Sequence, residues 1–246
     1  MNRADPQTIA FPPAALARIR AAADEYDPRA RRWPLLKALL WVYKTTCVRS
    51  MHVEGREHLV PGARIVISNH ARVGDGFLLA FVLDQFHALV QAESFTLPVV
   101  GKLMARAGWI PVVPGQTRLV MARALDALKA GRTVLIYPEG RLSHGGEMTR
   151  GQTGAVRLAL QTGAALQPVA VHVPERYWRT LHGSFYGRPT VGVWQVGGPT
   201  YVAIGKAWRP LAHLDRPPTI AEARQATNDM MARLALLLEQ ARAAAD

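Results

Sequence analysis

Ile65-Val66-Ile67-Ser68-Asn69-His70-Ala71-Arg72-Val73-Gly74-Asp75 is the stretch that decides how this chain folds. A short β-branched run predicts a buried strand over Arg64–Ser68. The run then stops, and a base, a guanidinium, a glycine and a carboxylate follow within a few residues. Charged clusters just past a strand end are where open α/β sheets place ligands. The pattern recurs at Leu135-Ile136-Tyr137-Pro138-Glu139-Gly140-Arg141, where a second apolar run ends in a Pro-containing turn with one acid and one Arg.

Working outward, apolar runs predict further strands over Ala88–Ala92, Trp109–Val113, Thr133–Tyr137, Gln167–Val173 and Pro199–Gly205. Helical periodicity predicts helices over Pro12–Tyr26, Pro34–Arg49, Gly76–Phe86, Leu97–Ala107, Thr117–Ala130, Gly154–Thr162 and Thr219–Ala244. Strands alternating with helices give an α/β fold: a mixed, mostly parallel sheet flanked by helices, preceded by an amphipathic helical hairpin. The expected organisation is a docking segment over residues 1–50 and one core domain over 51–246. With 246 residues, 49% of them hydrophobic, the chain can bury a full core.

His70 and Asp75 have the makings of a base and its orienting group. A neutral imidazole takes the proton of an attacking hydroxyl, and a carboxylate on the other ring nitrogen sets the tautomer. In a continuous helix, residues five apart sit about 140° from each other, so the pair needs a turn, which Gly74 offers. The plainer alternative is that Asp75 caps a helix starting near Phe77 and His70 is a loop residue. In the second segment, Arg141 can hold a phosphate with its planar fork. Glu139 can accept from acceptor hydroxyls or pair with Arg141. Arg72 either faces phosphates or sits in a solvated loop.

Taken together, Asn69-His70 with Asp75, Tyr137-Pro138-Glu139-Gly140, Leu166-Gln167-Pro168-Val169-Ala170-Val171 and the run Arg150–Ala159 resemble the glycerolipid acyltransferase family, over roughly residues 50–205. The resemblance implies His70 as general base and Asp75 as its partner. It also implies an acceptor pocket at Glu139, Gly140 and Arg141. No metal and no cofactor is implied, since acyl-CoA or acyl-carrier protein is the donor substrate and a lysophospholipid the acceptor. One block departs from the family: Gly108-Trp109-Ile110-Pro111-Val112-Val113-Pro114 has Pro114 where the family has a phosphate-holding Arg. A Lys upstream of that block is Gln91 here. Arg118, four residues past Pro114, stands as a substitute.

Composition narrows the partners. Cys47 is the lone cysteine, which excludes an internal disulfide. No Cys/His spacing suits zinc, and there is no P-loop or Gly-x-Gly-x-x-Gly. The net charge of +12 suits an anionic membrane surface, an acidic carrier protein or coenzyme A phosphates. It also suits nucleic acid, but no nucleic-acid-binding motif accompanies it, and no nucleic acid is expected. From Arg29 to Arg49 the chain carries six basic residues and no acidic one, interleaved with Trp33, Leu36, Leu40 and Trp41. This apolar run is too short to span a bilayer, which takes about 20 residues. It reads as an in-plane interfacial helix docked by Trp33, Leu36, Leu40 and Trp41, with Arg31 and Arg32 on anionic lipid, or as a helix packed on the core. The remaining histidines, His87 and His172 among them, read as surface or satisfied core residues, and His144 as a loop residue near the second segment.

The expectation is therefore a peripheral O-acyltransferase on the cytoplasmic face of a membrane, acting on 1-acylglycerol-3-phosphate. The alternatives are a phosphate-free acceptor such as a glycolipid or an ornithine-type lipid, a non-catalytic lipid-binding protein, and a basic nucleic-acid-binding protein.

Overall fold

The Ile65–Ile67 run forms the centre of strand β2 (Arg64–Ser68), buried along its whole length. In the computed structural model, which describes residues 11–27, 33–143, 147–214 and 216–245, β2 is flanked on both sides by parallel strands. These are β5 (Thr133–Ile136), with Ile65 opposite Val134, and β6 (Ala165–His172), with Ile65 opposite Leu166. A parallel strand in mid-sheet has helices on both faces, so its side chains are apolar on both, and the run is continuous instead of alternating.

The remaining strands of the sheet are β1 (Ser50–Glu54), β3 (Phe86–Gln91), β4 (Ile110–Val112) and β9 (Pro199–Ile204). The seven strands lie in the order β1-β9-β6-β2-β5-β3-β4. Strand β9 runs antiparallel to β6 and parallel to β1, and all other pairs are parallel. On one face Val66, Leu135 and Val169 pack with Leu36 and Leu40 of α2 (Trp33–Cys47), Leu79 of α3 (Asp75–Leu79) and Met104 of α4 (Val100–Arg106). On the other face Ile65, Ile67, Val134 and Ile136 pack with Val120 and Ala124 of α5 (Thr117–Lys129), Val156 of α6 (Gly154–Thr162) and Met230 of α7 (Ile220–Ala243). Helix α7 starts at a full capping box, Thr219 and Glu222 each accepting from the other's backbone N–H. Its buried Ala226, Met230, Leu234, Leu238 and Ala241 recur every three to four residues, which lays one stripe on the sheet.

Three expectations change. The helix predicted over Gly76–Phe86 stops at Leu79. Beyond it the N–H groups of Ala80, Phe81 and Val82 each bond three residues back, a tighter winding. Leu78, Leu79, Ala80, Val82 and Leu83 are all buried, so this segment has no solvent face to match an amphipathic helix, and it delivers the chain to β3 two residues early. Strand β1 and the hairpin β7 (Trp178–Phe185)–β8 (Arg188–Gln195) were not anticipated. The hairpin turns on Tyr186 and Gly187, both at positive φ, the conformation of a two-residue I′-type loop.

The third correction concerns α2. Leu36 and Leu40, expected to face lipid, lie in the core beside Val66, because they occupy the helix face turned toward the sheet. Leu35, Trp41 and Val42 are the exposed apolar residues, at 53%, 57% and 52% exposure. Arg31 and Arg32 lie outside the described residues, as does the Trp33 side chain. Helix α1 (Pro13–Asp24) rests elsewhere, with Ile19 and Ala23 against Ala92 and Val113. The two faces of α2 should separate in equilibrium urea unfolding. Leu36→Ala should cost about 2–5 kcal/mol, as large-to-small core changes do. Trp41→Ala should stay within about 0.5 kcal/mol of wild type.

Candidate active site

The strands β2, β5 and β6 end side by side, and the loops leaving β2 and β5 meet there. Asn69 anchors the first loop to β6. Its side-chain amide donates to the Val171 carbonyl at 3.0 Å, and its carbonyl oxygen accepts the Val171 N–H at 2.8 Å. The chain then turns sharply, and Asp75 closes the turn. One carboxylate oxygen, Oδ2, accepts the N–H groups of Ala71 at 2.9 Å and Arg72 at 2.8 Å. The other, Oδ1, lies 2.6 Å from the Arg72 guanidinium. Asp75 does not cap α3, whose N-cap is Gly74 with no side-chain bond.

Asp75 and Arg72 are both fully buried. Burial pushes the Asp75 carboxyl up, but Arg72, His70 and the backbone N–H of Arg72 together hold it below its ordinary value. Arg72 therefore faces neither donor phosphates nor solvent. It leans over the Trp178 ring, 5.5 Å from its centroid, and completes the charge of the loop.

This anion faces His70. The Nδ1 atom of His70 is 3.7 Å from Asp75 Oδ2, longer than a hydrogen bond but with no other partner among the described residues. The ring is stacked on Tyr137 at 3.9 Å between centroids and 16° between planes. With Nδ1 turned toward Asp75, Nε2 is the ring nitrogen on the side away from that carboxylate. Burial pushes the Tyr137 phenol well above its ordinary range, and Asp75 adds to this, so Tyr137 acts as a neutral wall.

Glu139 bonds to this loop. It is buried; Oε1 accepts the His70 N–H at 3.1 Å, while Oε2 accepts from Ser143 Oγ at 2.7 Å and from the Thr149 N–H and Oγ1 at 2.8 and 3.2 Å. Three of these four donors converge on Oε2 and one on Oε1, so the carboxylate is held from both sides. The Ser143 N–H returns to the His70 carbonyl at 2.7 Å, so His70 is clamped at both backbone groups. Gly140, at φ +70°, makes the turn after Glu139 in a conformation that disfavours a side chain.

Arg141 follows as an exposed residue at the rim. Arg118 is exposed in the first turn of α5, just past edge strand β4, three strand spacings (about 14 Å) from β2. The two arginines are thus at the same end of the sheet as His70. His144 lies outside the described residues. No group of three or more His, Cys, Asp or Glu among the described residues is arranged to hold a metal.

Sequence reading missed the supports of this loop. The Val73 N–H donates to the Val193 carbonyl of β8 at 2.9 Å. Tyr43 of α2 packs on Gly74 so tightly that a Cβ there would lie 2.4 Å from its hydroxyl. Spacing marks Gly74 only as a turn residue, and the contact on it comes from a helix residue thirty-one positions earlier.

Sequence similarity places this chain, with His70 and the buried Asp75 held beyond a parallel strand, among the acyltransferases. It belongs to that family: the Acyltransferase family model matches residues 50–172, half of the chain. It is similar to the 1-acyl-sn-glycerol-3-phosphate acyltransferase of Pseudomonas aeruginosa, 25% identical over 190 residues that cover 76% of this chain and 69% of that one. To the chloroplastic 1-acyl-sn-glycerol-3-phosphate acyltransferase of Arabidopsis thaliana it is 26% identical over 152 residues, 59% of this chain and 43% of that one. To the lyso-ornithine lipid O-acyltransferase of Pseudomonas aeruginosa it is 34% identical over 107 residues, 43% of this chain and 41% of that one. The chain thus spans about two-fifths of the length of two of these relatives and about two-thirds of the third. It shares the fold of the 1-acyl-sn-glycerophosphate acyltransferase crystal structure from Thermotoga maritima, with a TM-score of 0.61 at 17% identity over 82% of this chain and 77% of that one.

Removing Arg72 should leave Asp75 as an uncompensated buried charge, so Arg72→Met should lose about 3–5 kcal/mol in urea unfolding at neutral pH. Asp75 ionises more readily folded than unfolded. Its contribution to stability is fully present above the unfolded value of about 4 and is lost as pH falls through the lower folded value. Asp75→Asn should therefore flatten the acid limb of the stability profile below about pH 4. An acid limb as steep as wild type would contradict the assignment.

Proposed function

We propose that this protein is a peripheral membrane O-acyltransferase that moves a fatty acyl group from an acyl thioester to the free hydroxyl of 1-acylglycerol-3-phosphate, giving phosphatidate. The donor is acyl-CoA or acyl-carrier protein. The observation that carries this reading is His70, clamped at both backbone groups with Nδ1 toward a carboxylate that Arg72 keeps anionic.

In this reading, His70 Nε2 takes the proton of the acceptor hydroxyl as its oxygen bonds to the thioester carbonyl carbon. Asp75 stabilises the imidazolium across Nδ1, from 3.7 Å. When the tetrahedral adduct collapses, the carbon–sulfur bond breaks and the imidazolium returns the proton to the departing thiolate. The nucleophile is the substrate hydroxyl, so no acyl-enzyme forms. Arg141 and Arg118, exposed at this end of the sheet, meet the acceptor phosphate.

The membrane reading rests on the outer face of α2. Leu35, Trp41 and Val42 are exposed together there, with Lys37 and Lys44 on the same helix. No helix among the described residues is long and apolar enough to cross a membrane. Tyr43, beside Trp41 and Val42, carries this docking face to the catalytic loop through Gly74.

A second acceptor, a lyso-ornithine lipid, is favoured by Pro114, which stands where the family places a phosphate-binding Arg. Its head carries no phosphate. The test is to incubate purified protein with palmitoyl thioester and each acceptor, and to identify products by mass. Acylated lysophosphatidate is expected, and His70→Ala should lower its rate by about 10²–10⁴-fold without unfolding the protein. Wild-type turnover in His70→Ala would remove His70 as the base. Arg118→Ala with Arg141→Ala should raise the KM for lysophosphatidate and not for the ornithine lipid. Should lysophosphatidate kinetics be untouched, the phosphate-free acceptor takes its place. Flotation with anionic vesicles should weaken when Leu35, Trp41 and Val42 become Ser. Unchanged flotation of the folded variant would remove α2 from the docking surface.

A further inference from the structure

The opposite end of the sheet, away from His70, holds a second polar cluster that the transfer reaction does not use. Arg64 opens β2, and its guanidinium is almost wholly buried, at 3% exposure. Its Nη1 donates to the Val60 carbonyl. Its Nη2 faces the exposed Asp84 carboxylate at 3.9 Å, beyond hydrogen-bond reach, and neither Nη2 nor Nε has a hydrogen-bond partner among the described residues. Three more buried nitrogens nearby are equally unpartnered: Gln85 Nε2, His87 Nε2 and Arg132 Nε. These four residues, with Asp84 and Thr133, line one pocket of about 230 Å³.

The fold aims these groups on purpose-built backbone. Gly131, at φ +77°, ends α5 in a Schellman motif: its N–H bonds the Leu128 carbonyl and the Arg132 N–H bonds the Ala127 carbonyl, each at 3.0 Å. That motif turns Arg132 back across the start of β5. His87 is fixed through Nδ1, 2.5 Å from the Gly108 carbonyl, which must accept, so Nε2 is the nitrogen left to the pocket. Gly108 leaves room for the ring, since a Cβ there would lie 2.4 Å from His87 Cε1.

A buried guanidinium is costly unless an anion and further hydrogen bonds satisfy it. One exposed carboxylate at 3.9 Å does not do so for Arg64. The cluster sets two guanidinium groups against the single Asp84 carboxylate, with an amide N–H₂ beside them. Planar forks suit the tetrahedral oxygens of phosphate. His87 Nε2 accepts from a phosphate hydroxyl when the ring is neutral and donates when it is protonated. We infer that this pocket binds a phosphate-class oxyanion at a site separate from the acyl-transfer centre. The whole length of β2, four steps of about 3.3 Å, lies between the two.

The test is calorimetric titration of the full chain with inorganic phosphate, with chloride at matched ionic strength as control. Saturable phosphate binding is expected in wild type and in the Arg118→Ala/Arg141→Ala variant. It should weaken about tenfold or more in Arg64→Gln, as loss of a bidentate contact implies. Should Arg64→Gln fail to fold, Arg132→Gln and Gln85→Leu carry the same expectation. Vesicles of phosphatidate that displace phosphate, where phosphatidylcholine vesicles do not, would support the site with a lipid headgroup as its source. Phosphate binding indifferent to both would support it with a soluble phosphate as its source. The inference is overturned by an absence of binding beyond chloride, which would leave a water-filled cleft. It is also overturned by binding unchanged in Arg132→Gln and Gln85→Leu, or by binding lost in the Arg118→Ala/Arg141→Ala variant.

Discussion

A carboxylate cut off from water has to be surrounded by donors, and Asp75 draws all of its supports from its own loop. Arg72 supplies the opposite charge at 2.6 Å, and the Ala71 and Arg72 N–H groups fill the remaining oxygen. Such a pair contributes little net stability, because removing two charges from water costs about as much as their attraction returns. What it contributes is geometry. The loop can take only the path that brings Ala71 and Arg72 back to Asp75, and that path leaves the His70 ring facing the carboxylate.

The rest of the architecture reads as support for that path. Strand β6 holds the loop's first residue through Asn69, and β8 holds its middle through Val73. The turn after β5 reaches across with Glu139, which clamps the His70 N–H while Ser143 clamps its carbonyl. From outside the sheet, Tyr43 of α2 closes on Gly74. Helix α2 therefore has an exposed apolar face and an inner residue in contact with the loop that carries His70, within one helical turn.

Much of the fold could be read from the sequence because β2 and β5 have continuous apolar centres, and β6 nearly so, the mark of strands covered on both faces. The hairpin β7–β8 could not, since β7 is largely exposed and its turn is Tyr186-Gly187, without the Asn-Gly or Asp-Gly signal. Periodicity showed that α2 has two faces but not which one meets the sheet, so Leu36 and Leu40 were assigned outward. At the site, His70 and Asp75 could be picked out by chemistry and spacing. For Glu139 the sequence offers acceptor hydroxyls or Arg141 as partners, and for Arg72 donor phosphates or solvent, because a charge beside a strand end usually faces a ligand or water. Their actual partners follow from tertiary structure: Glu139 meets the N–H of a residue sixty-nine positions earlier, and Arg72 meets an aspartate that spacing alone suggested for a different neighbour.

The central claim is that Asp75 holds His70 with its proton on Nδ1 and a bare Nε2 toward substrate. Long-range ¹⁵N–¹H correlation of the imidazole at neutral pH reports this directly, with the His70 signals identified by their loss in His70→Gln. The account predicts the Nδ1–H form in wild type and its loss in Asp75→Asn. A ring protonated on Nε2 alone in wild type, or a tautomer indifferent to Asp75→Asn, would contradict it.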